Sequence, residues 1–138
     1  MNKNMEKLTI PAKLENLEAM LEFIVERAGT LGFDEKKKFQ IKLAAEEALV
    51  NVINYAYPDK NGNIEITLTS RNNEALEIEI IDWGFAFDPL SLPEPNICAP
   101  LEERQIGGLG IHLIRKIMDE VRYKREDDRN ILSLVKKL

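Results

Sequence analysis

Leu76, Ile78 and Ile80 alternate with Glu77 and Glu79, a period of two that predicts a strand with one buried face. Asp82 continues the buried phase, and Gly84 breaks the strand. Ile64, Ile66 and Leu68 alternate in the same way with Glu65, Thr67 and Thr69, so Arg71-Asn72-Asn73-Glu74 between the two runs reads as a hairpin turn. Leu8 and Ile10 before Pro11 predict a short first strand at a sheet edge, where proline is tolerated. Helical spacing appears at Leu14, Leu17, Leu21, Ile24 and Ala28, with Gly29-Thr30-Leu31-Gly32 as the stop. Asp34 then stands where an N-cap is wanted, and a second helix of about six turns is expected from Glu35 to Ala56, stopped by Tyr57-Pro58. Phe39, Leu43, Ala44, Ala48, Leu49, Val52 and Ile53 give it an apolar surface wider than one stripe, so it should be central. Ile111, Ile114, Ile117 or Met118, and Val121 mark a third helix. A closing hairpin follows, with strands at Val121 to Arg125 and Ile131 to Lys136 joined through Asp127-Asp128-Arg129-Asn130.

Between Asp88 and Ile106 the periodicity vanishes, and four of the six prolines fall there: Pro89, Pro93, Pro95 and Pro100. Loops of this length inside a domain are usually functional or disordered. The 138 residues suit one domain and are too few for two ordinary ones. A net charge of −5 argues against a protein built to grip nucleic acid phosphates. No apolar run approaches a membrane span and the first residues lack the apolar core of a signal peptide, so a cytoplasmic protein is expected. One cysteine, Cys98, and one histidine, His112, offer neither an internal disulfide nor a Cys/His zinc cluster. His112 falls away from the apolar stripe and reads as a surface residue.

Three short stretches carry candidate chemistry. Asp82 points a carboxylate into an apolar interior, which costs several kcal/mol, roughly, unless donors meet it. An adenine amino group is one such donor; a strand-ending Asx turn is the plainer reading. Gly84 suits either, by taking positive φ or by letting a flat ligand approach the backbone. Glu47 and Asn51 lie four apart on one helical face, about 6 Å along the axis. An amide oxygen from Asn51 is a workable magnesium ligand beside phosphate oxygens and water, and Glu47 one turn away is placed for general-base work. An exposed polar pair on an amphipathic helix has the same spacing. Gly107-Gly108-Leu109-Gly110 precedes a helix, where backbone N–H groups and the helix dipole favour phosphate, although a tight loop-to-helix joint also uses glycines. Arg104 is in reach of a terminal phosphate or is simply solvated. Trp83 packs on the sheet or roofs the base.

In this order and spacing the segments resemble the GHKL ATPase superfamily. Glu47-Ala48-Leu49-Val50-Asn51 is similar to its magnesium-binding helix motif, Asp82-Trp83-Gly84 to its adenine-binding turn, and Gly107-Gly108-Leu109-Gly110 to its phosphate-binding lid end. The lid length, the run Phe87-Asp88-Pro89-Leu90 and the stretch from Gly107 to Tyr123 most resemble the anti-sigma factor serine kinases. The resemblance implies a two-layer α/β (α+β) sandwich of the Bergerat type, with a mixed, mainly antiparallel sheet covered on one face by three helices. It implies one ATP-binding domain over 1–138 with a lid at about 88–107. Asp82 would bind the adenine amine, Gly84 would admit the base, Asn51 would hold Mg2+, Glu47 would act as base, and Gly108 and Gly110 would contact phosphate, with Arg104 added from its place before the glycine turn. The implied reaction moves the γ-phosphoryl group of ATP to a serine of a STAS-type anti-anti-sigma protein, in competition with a bound sigma factor. The resemblance also implies a homodimer, for which residues 8 to 10 and the first helix offer a surface. Two positions depart from the pattern: Tyr55 stands where many relatives have histidine, and Ala86 replaces the second glycine of Asp-x-Gly-x-Gly. The alternative function is a nucleotide-gated binding module that transfers nothing. A detached histidine kinase catalytic domain is disfavoured, because about 35 residues before the Glu47 helix leave no room for a phosphoacceptor hairpin.

Overall fold

The computed structural model describes residues 5–57, 59, 61–86, 88 and 108–138. Five strands, β1 (Met5–Pro11), β2 (Asn63–Arg71), β3 (Ala75–Asp82), β4 (Glu120–Glu126) and β5 (Arg129–Lys137), form one sheet in the order β1-β2-β3-β5-β4. Every pairing is antiparallel, so the parallel pair allowed for by a mixed sheet is not found among the described residues. Three helices, α1 (Leu17–Leu31), α2 (Glu35–Tyr55) and α3 (Gly108–Ile117), complete the α+β fold. None of the described helices is long and apolar enough to cross a membrane.

Alternation puts one face of each strand against the helices. Ile64, Ile66 and Leu68 of β2 lie across from Asp82, Ile80 and Ile78 of β3, and Ile80 and Ile78 in turn face Leu132 and Leu134 of β5. All of these are buried. Both hairpins close through pairs of residues at positive φ, Asn72 (53°) with Asn73 (58°) and Asp127 (51°) with Asp128 (62°). This is the requirement of a type I′ turn, and Asn and Asp tolerate it better than other side chains. The second turn is therefore two residues long rather than four, and Arg129 and Asn130 belong to the β5 ladder. That shift places Asn130 directly opposite Asp82.

α1 begins later and ends later than its pattern predicts. Leu14 lies in a preceding 3-10 turn (Leu14–Asn16) and is 66% exposed, while Met20, outside the expected stripe, is fully buried. Gly29 remains helical, and the chain leaves the helix at Gly32 (φ 101°), whose N–H bonds the carbonyls of Ala28 and Gly29. α2 is capped by Asp34, whose Oδ1 accepts from Lys37 N at 2.8 Å. Its buried face is Ile41, Ala44, Ala45, Ala48, Leu49 and Ile53. Phe39, expected on that face, is 65% exposed. It lies two residues from Ile41, about 200° around the helix, and so points the other way. Leu43 is half-buried. α2 packs against α1, α3 and the sheet, which is the central place its wide apolar surface calls for.

Candidate functional site

Asp82 is the last residue of β3 and is buried. Its Oδ1 accepts two hydrogen bonds, from Gly84 N at 2.9 Å and from Asn130 Nδ2 at 2.8 Å. The Asx turn that competed with a ligand role is therefore present, but it engages the same oxygen as Asn130. Among the described residues, both bonds fall on Oδ1. Burial pushes the Asp82 carboxyl above the usual carboxylate range, opposed by the bonds from Asn130 and Gly84 and by the positive charge of Arg125.

The turn after Asp82 is held from three sides. Trp83 N donates to Tyr57 Oη at 2.8 Å, and the Tyr57 hydroxyl donates to Asn63 O at 2.7 Å. Burial, followed by the nearby Asp82 charge, raises the Tyr57 pKa against these two bonds. Arg125 Nη1 donates to Gly84 O at 2.8 Å, and Asn130 Nδ2 also donates to Phe85 O at 2.5 Å. Phe85 N reaches back to Ala56 O at 3.2 Å, just past the end of α2.

Gly84 is required by that last approach. A Cβ there would lie 2.1 Å from Ala56 O and 2.6 Å from its carbonyl carbon, so no side chain fits. Its φ lies outside the left-handed region, so the glycine answers to a neighbouring backbone rather than to positive φ. Ala86 is likewise absent from the positive-φ residues, and an alanine carries no backbone penalty there.

A cleft opens between α2 and the β3–β5–β4 end of the sheet. Ala48, Asn51, Val52, Tyr55 and Ala56 line one side, and Ile80, Asp82, Leu132, Asn130 and Tyr123 line the other. About 470 Å³ of it is free of atoms, part of this open to solvent. The structure thus brings Asn51 and Asp82 into one cavity, with Tyr55 in its lining. Trp83 and Phe85 beside it are exposed. Glu47, one turn before Asn51, is half-buried and is not among the side chains lining the cleft.

No cluster of three or more His, Cys, Asp or Glu placed for a metal exists among the described residues. The donor chemistry suits magnesium only in the form in which one amide oxygen, from Asn51, joins phosphate oxygens and water. The glycine segment differs from its expected form. Gly108 and Gly110 lie inside the first turn of α3 rather than before the helix. Gly107, Arg104, Cys98 and almost all of the expected 88–107 lid lie outside the described residues. At its other end α3 is anchored to β5. Lys136 Nζ donates to Ile117 O at 2.5 Å, and Lys137 N donates to Asp119 Oδ2 at 2.7 Å. His112 is half-buried on this helix, more enclosed than a surface position predicts.

Asn130, Tyr123, Tyr57 and Arg125 were not identified from the sequence as site residues. A polar side chain in phase with Leu132 and Leu134 was the available signal for Asn130, and the assignment of residue 130 to a turn concealed it.

Residues 10–136 match the family model described as the histidine kinase-like ATPase domain. The serine/threonine-protein kinase BtrW of Bordetella bronchiseptica is 35% identical over 98 residues, covering 70% of this chain and 68% of that protein. The serine-protein kinase RsbW of Bacillus thuringiensis is 30% identical over 130 residues, covering 91% of this chain and 81% of the relative. The crystal structure of the RsbU and RsbW domains of a Mycobacterium tuberculosis protein superposes with a TM-score of 0.65 at 17% identity, covering 96% of this chain. A blue-light activated histidine kinase of Erythrobacter litoralis gives 0.57 at 18% identity and covers 94%. The chain spans 32% and 42% of those two longer chains, and at such identities the likeness establishes the fold alone. With the sequence matches, the five-stranded antiparallel sheet and the Asn51–Asp82 cleft together, the chain belongs to the histidine kinase-like ATPase domain family.

Proposed function

We propose that this chain is an anti-sigma factor serine kinase, a cytoplasmic protein that binds Mg-ATP and phosphorylates a serine of a STAS-type anti-anti-sigma protein. In its other state it sequesters a sigma factor, so the phosphorylation state of the partner sets transcription. One domain spans 1–138, and residues 88–107 form the ATP lid. The observation that carries the reading is the buried Asp82 carboxylate sharing a cleft with Asn51. In this assignment Asp82 takes the adenine amine, Gly84 keeps the adenine turn against α2, and Asn51 holds magnesium on the phosphates. Arg104, Gly108 and Gly110 contact phosphate, and Glu47 accepts the proton of the attacking serine hydroxyl. The names of the relatives, serine-protein kinase and serine/threonine-protein kinase, support the reaction class. The chain acts as a homodimer.

Glu47 lies outside the cleft lining, which favours a second reading: a nucleotide-gated module that captures its partner and transfers nothing. Transfer of label from γ-labelled ATP to a STAS-type protein separates the two. The kinase reading expects serine phosphorylation by the native chain and its loss in Glu47→Gln, with partner capture intact. Capture without label in the native chain supports the second reading, and undiminished transfer by Glu47→Gln removes Glu47 from the role of base.

A further inference from the structure

The closing hairpin contributes a polar pair to the cleft that the assignment above does not use. Asn130 of β5 is 6% exposed, and Tyr123 of β4 lies beside it in the cleft lining. Asn130 Nδ2 donates both to Asp82 Oδ1 at 2.8 Å and to Phe85 O at 2.5 Å, while Asn130 Oδ1 accepts from the Tyr123 hydroxyl at 2.5 Å. Two acceptor-only oxygens on one side and a hydroxyl on the other fix which way the amide faces. The amide cannot turn over without placing its oxygen against a carboxylate and a carbonyl.

An ionised carboxylate has about four lone-pair sites shared by its two oxygens. Within the described residues, Asp82 spends its hydrogen bonds on Oδ1, one to Gly84 N and one to Asn130. Oδ2 is left for the cleft that Asp82 lines. Resting on the nucleotide-site reading, we propose that Asn130, steadied by Tyr123, is a positioning residue for base selection: it pins Asp82 Oδ1 so that Oδ2 is presented to a purine carrying an exocyclic amine.

A fixed acceptor at that place discriminates by chemistry. The 6-amino group of adenine donates to it. The 6-carbonyl of hypoxanthine presents a second acceptor, leaving two oxygens facing each other at the buried Asp82. Sites built around such a hydrogen bond reject the mismatched analogue far more strongly than sites that only sense shape. A carboxylate free to rotate, or to take a proton, loses this selectivity. Asn130 opposes both, by occupying one oxygen and by favouring the ionised form. Among the described residues, the other charged or titratable groups facing Asp82 are Arg125 from β4 and Tyr57 from the segment after α2.

The test titrates native chain, Asn130→Ala and Tyr123→Phe with ATP and with inosine triphosphate, each with magnesium, following the fluorescence of Trp83, the only tryptophan. Thermal unfolding of each variant checks that it is folded. The native chain should prefer ATP by on the order of 100-fold, the amount expected from one hydrogen bond to a charged group. In Asn130→Ala, ATP binding should weaken by roughly 10- to 100-fold with little change for inosine triphosphate, so the preference collapses. Its loss of ATP binding on acidification should also move to higher pH, since a bond favouring the Asp82 carboxylate is gone. Tyr123→Phe should show the same trend in smaller measure. Equal weakening of both nucleotides gives Asn130 a purely structural role through Phe85 and overturns the proposal, as does an unchanged preference. If Asn130→Ala does not fold, an unchanged preference in Tyr123→Phe overturns it. A native chain that binds neither nucleotide overturns the underlying site reading instead, and the inference falls with it.

Discussion

Gly84→Ala is the sharpest test of how the turn after β3 is built. An added Cβ meets Ala56 O at 2.1 Å, its carbonyl carbon at 2.6 Å and its Cβ at 2.8 Å. Two of these are backbone atoms at the end of a 21-residue helix, which cannot rotate away as a side chain would. Overpacking of this kind costs about 1–3 kcal/mol, and separating the two segments also lengthens the 3.2 Å bond from Phe85 N to Ala56 O, worth about 0.5–1.5 kcal/mol. A total of about 1.5–4.5 kcal/mol corresponds to a Tm fall of roughly 5–16 °C for a chain of this size. Gly29→Ala is the control. Its Cβ would meet only Lys38 side-chain atoms at 3.8 Å, within α1, so replacing a helical glycine should stabilise by about 0.5–1 kcal/mol. Urea unfolding, followed by circular dichroism at helix wavelengths, reads both. A Gly84→Ala chain as stable as native would refute the claim that the helix end bears directly on this turn.

Asp34→Ala removes the cap bond to Lys37 N and should cost about 1 kcal/mol, measurable in the same urea titration. Asp82 should carry a pH signature. Its folded pKa is raised by burial above the ordinary value, so between the two the folded state holds the proton more tightly, and stability falls as pH rises through that window. Asp82→Asn, which keeps an oxygen for Gly84 N and Asn130, should therefore be more stable than native at neutral pH, with the gain vanishing below roughly pH 4. Glu79 is shifted in the same direction, by burial and then by Glu77, so the difference between variant and native across pH is the quantity to measure. A gain that persists unchanged into acid would contradict a raised Asp82.

The alternating runs of β2 and β3, the Asp34 cap and the burial of Asp82 could be read in the sequence because each depends on local periodicity or on a bond spanning three residues. What could not be read depends on register. Asn130 becomes a partner of Asp82 only because the β4–β5 turn uses two residues, Asp127 and Asp128, and a four-residue turn composition looked equally apt. Phe39 and Leu14 were misplaced for a related reason: apolar type predicts burial only when the angle around the helix and its starting residue are both known. Gly84 was expected to matter, but for a ligand or for positive φ. The neighbour it accommodates, Ala56 O, is 28 positions earlier in the chain, beyond any local pattern.

The central claim is that the cleft holding Asp82 and Asn51 binds a nucleotide through its base and its magnesium. Calorimetric titration of ATP, with and without magnesium, on the native chain and on Asp82→Asn tests it most directly. The account predicts binding that tightens with magnesium and that weakens by at least about 10-fold in Asp82→Asn, the amount expected from losing a hydrogen bond to a charged group. ATP binding that is indifferent to Asp82, or a native chain that binds neither ATP nor ADP, would contradict it.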